Sequence, residues 1–187
     1  MKYLFATTNP GKIVEMRRLL RDFDIATPAE LGLALDVAEN GATFFENARL
    51  KARAYCAASG FPAIADDSGL CVRALGGAPG IYSARTLAAE GIDALLRKLE
   101  GAEDRQASFV CSIVCAYPDG RSLSAEGECR GEIARAPRGA FGFGYDPVFE
   151  VLGAGRTMAE MTAEEKDALS HRGIAARSLA RKLRGNM

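Results

Sequence analysis

The segment that most restricts how this chain can fold is Ser-Phe-Val-Cys-Ser-Ile-Val-Cys-Ala-Tyr, residues 108–117. Its β-branched and aromatic residues suit the pleated, half-buried surface of a strand. Pro118-Asp119-Gly120 has the composition of a turn, and Arg121 to Arg130 reads as the strand returning from it. The middle of the chain is therefore expected to form a long hairpin. On its first strand Cys111 and Cys115 are four residues apart and fall on one face.

Helical signals flank the hairpin. Lys2 to Ala6 reads as a short strand entering a turn. Asn9 is placed to cap a helix whose first residue is Pro10, and Ile13, Met16, Leu19 and Leu20 give that helix an apolar stripe. Thr43-Phe44-Phe45-Glu46 has the form of a capping box, which predicts a helix to about Ser59, with Gly60 as its C-terminal glycine. Phe61 to Ala65 reads as a buried strand ending in Asp66-Asp67-Ser68-Gly69. Thr162-Ala163-Glu164-Glu165 is a second capping box, opening a helix that runs to Arg184 with an interruption near Ser170. The pattern is that of a mixed α/β domain. The 187 residues suit one domain, able to bury roughly 70% of its unfolded surface.

Composition excludes several classes of function. Lys+Arg and Asp+Glu number 24 each, and zero net charge argues against gripping nucleic acid electrostatically. No apolar run approaches the roughly 20 residues a membrane helix needs, and Met1 to Ala6 is too short for a signal-peptide core. The five cysteines include no Cys-x-x-Cys, and His171 is the only histidine, so a Cys/His zinc site has few ligands. Reduced, buried thiols in a cytoplasmic protein are expected instead.

Six segments are able to carry chemistry. Thr7-Thr8-Asn9-Pro10-Gly11-Lys12 joins the first strand to the first helix. Such a turn offers free backbone N–H groups and the positive end of a helix, and its side chains add donors and a cation suited to phosphate. A plain capped turn would use the same residues. On the second helix Asn47 and Lys51 share a face, while Glu46 is explained by the capping box. Asp66-Asp67 places two carboxylates side by side, which calls for a positive partner or for water; such hard oxygen ligands suit Mg²⁺. Gly76 to Arg85 reads as a rigid loop ending in a Ser and an Arg. Phe141-Gly142-Phe143-Gly144-Tyr145-Asp146 lets a planar ring approach the backbone, or packs on the core. Lys166 precedes Ser170-His171-Arg172, where a neutral imidazole and a guanidinium together offer donors to a carbonyl.

In their order, the runs Ala65-Asp66-Asp67-Ser68-Gly69-Leu70, Gly80-Ile81-Tyr82-Ser83-Ala84-Arg85, Phe143-Gly144-Tyr145-Asp146-Pro147 and Ser170-His171-Arg172 resemble the inosine triphosphate pyrophosphatase family (XTP/dITP diphosphatases), most closely its bacterial branch. The resemblance spans Phe5 to about Ala176. It implies an α/β fold with a long, mixed, twisted central sheet, helices on both sides, and two lobes around a cleft, the whole of residues 1–187 forming one domain. It implies Mg²⁺-dependent hydrolysis of ITP, dITP and XTP to the monophosphate and pyrophosphate, by a cytoplasmic homodimer that binds neither nucleic acid nor membrane.

The resemblance also implies roles. Thr7, Thr8, Asn9, Pro10, Gly11 and Lys12 would form the first phosphate-binding turn. Glu39 and Asp67 would hold the metal, and Asp67 would be the general base. Ser68 and Lys51 would contact substrate, with Lys51 on the triphosphate. Phe143, Gly144, Tyr145 and Asp146 would form the base-stacking loop, and Lys166, His171 and Arg172 would meet phosphate and the purine oxygen. Two stretches depart from the family pattern: Thr86 to Gly91, expected as a short, plain loop, and Phe141 in a stretch usually rich in glycine. Two other readings stay open, namely the same reaction on pyrimidine triphosphates and a nucleotide sensor without turnover.

Overall fold

The computed structural model describes residues 1–185. In chain order the elements are β1 (Lys2–Phe5), α1 (Pro10–Leu19), β2 (Asp24–Ala26), α2 (Phe44–Ser59), β3 (Ala63–Val72), α3 (Ser83–Lys98), β4 (Gln106–Ala116), β5 (Ser122–Ile133), β6 (Phe149–Val151), α4 (Ala163–Leu169) and α5 (His171–Arg184). They build one mixed sheet in the order β2-β1-β3-β4-β5-β6. β1 runs parallel to both neighbours, and every later pairing is antiparallel. The parallel pairs are joined through α1 and α2, since a parallel connection needs a crossover.

The hairpin forms as expected. β4 and β5 pair without interruption from Gln106↔Glu132 to Ala116↔Ser122, and Gly120 takes the positive φ that closes the turn. The sheet is covered on both faces, and the pleat sorts its residues between them. Tyr3, Phe5, Ile64, Cys111, Ile113 and Cys115 face α1 and α5. Leu4, Ala6, Ala63, Ala65, Val114 and Ala116 face α2. Cys111 and Cys115 do share a face, and all five cysteines are free thiols.

Helix ends follow the chemistry read from the sequence. Asn9 caps α1 by accepting from the Lys12 amide. Thr43 caps α2, and Gly60 ends it in the left-handed region. The Glu46 carboxylate accepts from the Ala42 amide rather than closing back on Thr43. The second capping box is complete: Thr162 and Glu165 each accept from the other's backbone amide. Ser170 is the predicted interruption, ending α4 and capping α5 through the Gly173 amide.

Two local expectations are overturned. Asp66-Asp67-Ser68-Gly69 is not a turn after a short strand. It lies inside β3, which stays in register with β4 from Ala63↔Ala116 to Val72↔Ala107. A strand carries two consecutive carboxylates here because each meets cationic or amide partners on its own face. Thr86 to Gly91 is not a loop but part of α3, whose helix breaks at Gly91 (φ 73°, ψ 178°).

The sheet also meets α5 very closely. A Cβ at Gly127 would lie 2.1 Å from the His171 carbonyl oxygen and 2.7 Å from the Ala175 amide nitrogen. Backbone on both sides leaves nothing to give way. We expect Gly127→Ala to destabilise the protein by about 2 kcal/mol or more, seen in urea titration as a lower midpoint with an unchanged slope.

Candidate active site

A cleft of about 590 Å³ opens where β1, β3 and the start of α5 come together. Every residue to which the family resemblance gives a role lines it, whereas Asp66 does not. One wall is the turn from β1 into α1. Asn9 there accepts from the Lys12 amide at 3.1 Å and donates its own amide to Thr7 Oγ1 at 3.2 Å. The turn is thereby held with the N-terminus of α1 facing the cleft, the arrangement that favours an anion. Lys12 Nζ lies 3.0 Å from Asp66 Oδ2.

The pleat of β3 gives its two acids different surroundings. Asp66 is fully buried beside Lys12 and Arg172, which overcome the effect of burial and hold its carboxyl well below the usual range. Asp67 points the other way, toward α2. Its Oδ2 accepts from Asn47 Nδ2 at 3.1 Å and its Oδ1 from the Ser68 amide at 3.0 Å. Burial raises its pKa, and Lys51 and Asn47 only partly oppose the rise. The two neighbouring carboxylates are thereby pushed apart, Asp66 down and Asp67 up.

Glu39 comes from the irregular segment before α2. Lys51 Nζ lies 3.1 Å from Glu39 Oε1 and 4.0 Å from Asp67 Oδ1. Asn47 Oδ1 accepts from the Gly41 amide at 2.8 Å, and Arg85 Nη2 donates to the Glu39 carbonyl at 3.1 Å. Two carboxylates here share one ammonium, leaving a net negative charge. Among the described residues no cluster of three His, Cys, Asp or Glu side chains could hold a metal by itself. The donor set is all oxygen and incomplete. That fits Mg²⁺, which keeps waters and takes one or two carboxylates together with substrate phosphates.

At the other end lies a buried ionic cluster. Glu15 receives Lys166 Nζ at 2.7 Å and Arg172 Nη1 at 2.6 Å. Lys166 also pairs with Asp146 in a short contact, and Asp146 accepts from the Phe143 amide at 2.7 Å. Arg172 donates to Asp66 Oδ2 at 3.1 Å and to Ser68 Oγ at 2.8 Å. Both cations lie over the Phe143 ring, at 4.9 and 5.6 Å from its centroid. Gly11 allows this ring to rest on the phosphate turn, since a Cβ there would lie 2.6 Å from Phe143 Cδ1. His171 is buried with its ring stacked on Phe109, and Nδ1 has no hydrogen-bond partner among the described residues. Burial, reinforced by Arg172 and Lys166, pushes its pKa far down, so the imidazole is neutral.

Some of this was not legible beforehand. Glu15 reads in the sequence as one more charge on an amphipathic helix, and Phe109 as hairpin core. Ile81, Leu87 and Ala88, which line the cleft's apolar side, come from segments read as loops. Only the spacing of Glu15 from Lys12, three residues on the same helix face, hinted at a shared site.

Fold and cleft together define an α/β protein whose one mixed sheet carries a cleft lined by the β1–α1 turn, β3 and the start of α5. The chain belongs to the Ham1 family, whose sequence model matches residues 3–182. It is 44% identical to a dITP/XTP pyrophosphatase of Treponema denticola over 194 residues, covering all of both chains. A dITP/XTP pyrophosphatase of Thermus thermophilus is 50% identical over 188 residues, covering 96% of this chain and 90% of the relative. Among solved structures, the Staphylococcus aureus Ham1 protein superposes with a TM-score of 0.89 at 41% identity over the whole of both chains.

The ionic cluster yields a stability prediction. Lys12, Lys166 and Arg172 face Glu15, Asp66 and Asp146, so charges balance three to three. Glu15→Gln leaves buried cations uncompensated and should cost about 3 kcal/mol at neutral pH. Burial alone would raise the Glu15 pKa, but Arg172 and Lys166 lower it on balance. Its stabilisation is therefore present above the ordinary glutamate range and lost as pH falls through the depressed value. Denaturation midpoints of wild type and variant should differ most at pH 7 and converge only once the pH has fallen through the depressed Glu15 value.

Proposed function

We propose that the protein hydrolyses ITP, dITP and XTP between the α- and β-phosphates, releasing the nucleoside monophosphate and pyrophosphate, with Mg²⁺ bound at Glu39 and Asp67. In this reading residues 1–187 form one domain whose two lobes close on the substrate. The observation that carries it is the placement of Asp67. Its buried carboxylate, oriented by Asn47 and the Ser68 amide, faces the same cleft as the α1 phosphate turn. The name dITP/XTP pyrophosphatase, borne by relatives similar over nearly the whole chain, supports the choice of substrate.

Mg²⁺, when bound, offsets phosphate charge and polarises the phosphoryl group. The chain's own groups do the rest. The Thr7 to Lys12 turn receives phosphate oxygens on its free amides. Asp67 accepts the proton of the attacking water. Lys51, close to both acids of the metal pair, stabilises charge on the departing pyrophosphate.

At the other end the base lies among Phe143, Tyr145 and His171. Arg172 is already committed to Asp66, Glu15 and Ser68, so reading of the 6-keto oxygen falls first on the neutral His171. A site built to bond that oxygen leaves polar groups unpaired with adenine, a loss worth up to ~10⁴-fold. Size alone does not separate guanine from xanthine, because both carry a substituent at C2. Polarity at that position must do so: an oxygen is accepted and an amino group refused.

The deciding assay is release of pyrophosphate versus phosphate from ITP, XTP, GTP and ATP, with and without Mg²⁺. Pyrophosphate from ITP and XTP alone, and only with metal, is the expected result. Asp67→Asn should lose about 10³-fold in turnover while keeping its circular dichroism spectrum. Wild-type rates in that variant would remove Asp67 from the base role.

A further inference from the structure

Phe109 lies on β4, in the hairpin, and belongs to the core beneath the cleft. Its ring is parallel to that of His171, with centroids 4.6 Å apart and planes 8° apart. On its own side of the sheet it meets Phe149 at 4.7 Å. The three rings form a file running from the packed core to the cleft wall, and Phe109 and His171 both line the cleft. The imidazole is short of other restraints. No hydrogen bond to Nδ1 exists among the described residues, although the residue is only 4% exposed. Its carbonyl lies where a Cβ at Gly127 would come within 2.1 Å, and its ring stacks on Phe109. A neutral imidazole carries one donor and one acceptor, so a rotated ring presents the wrong atom to a carbonyl.

We infer that Phe109 is a specificity-determining positioning residue: by stacking on His171 it fixes the plane of the imidazole that reads the purine's 6-position. The inference rests on the base-reading role given above to His171. It assigns Phe109 no contact with the reacting phosphates, so its loss should alter the choice of base more than the rate of chemistry.

The test uses Phe109→Leu, with Phe109→Met as a second ringless variant of similar volume should the first fold poorly. Because His171 is the only histidine in the chain, its ring protons are unambiguous in NMR spectra. Protons over an aromatic face resonate upfield, and in either variant the His171 signals should move downfield. The ratio of kcat/KM for ITP over ATP should fall about tenfold, mainly through better use of ATP. The double variant Phe109→Leu/His171→Ala should discriminate no worse than His171→Ala alone, since Phe109 acts through His171. An equal loss of kcat/KM for ITP and ATP would reduce Phe109 to a packing residue and overturn the inference. So would an unchanged ratio in a Phe109 variant while His171→Ala lowers it. If His171→Ala itself leaves the ratio unchanged, the base-reading proposal fails first, and the inference falls with it.

Discussion

The cleft depends on the buried charge cluster that joins α1, β3 and the start of α5. Isolated charges in a protein interior are strongly unfavourable, and a cluster survives only when each member is met by an opposite one. Here Glu15 stands between Lys166 and Arg172, and Asp66 between Lys12 and Arg172. Glu15 lies 157 positions from Arg172, and Asp66 lies 106. Satisfying them requires α1, β3, α4 and the start of α5 to meet in one arrangement. The same residues hold the turn into α1, through Lys12, and the ring of Phe143.

The two ends of the cleft follow opposite electrostatic rules. Around Asp66 the charges cancel, which leaves a rigid, neutral support. Around Asp67 they do not: two carboxylates share Lys51, and under the proposed function the remaining negative charge is what a divalent cation would neutralise. The first arrangement stabilises the folded protein before any ligand binds. The second is stabilised by the ligand and loses some free energy in its absence, as a functional site does when its groups are arranged for something not yet there.

Much of this could be read before the coordinates. Asn9, Thr43, Thr162 and Ser170 mark helix starts through local bonds between a side chain and a nearby amide. The hairpin is equally local, set by strand-forming residues on either side of Pro118-Asp119-Gly120. The motif residues around the cleft were found through their family pattern rather than through physics alone. Contacts between distant segments were not legible. Glu15 and Phe109 each look ordinary among their sequence neighbours and gain meaning only from α4 and α5, which are distant in the chain but adjacent in the fold. Asp66-Asp67 misled for a related reason. Adjacent acids look like a solvated turn until the cations that neutralise one of them are known to lie across the sheet. Thr86 to Gly91 was read by comparison with longer relatives, although its own Leu, Ala and Glu content favours the helix it forms.

The position of the two aspartates within β3 has a consequence for what the chain can tolerate. Their duties are separated by nothing more than the alternation of a strand, held in place by ten consecutive pairings with β4. A single residue inserted or deleted in β3 before Asp66 would, where the start of the strand keeps its register, invert that alternation for everything after it. The carboxylate needed in the cleft would be driven among the buried cations, and apolar side chains would turn toward the wrong layer. Indels in this strand should therefore be lethal to the protein even where each neighbouring substitution is mild.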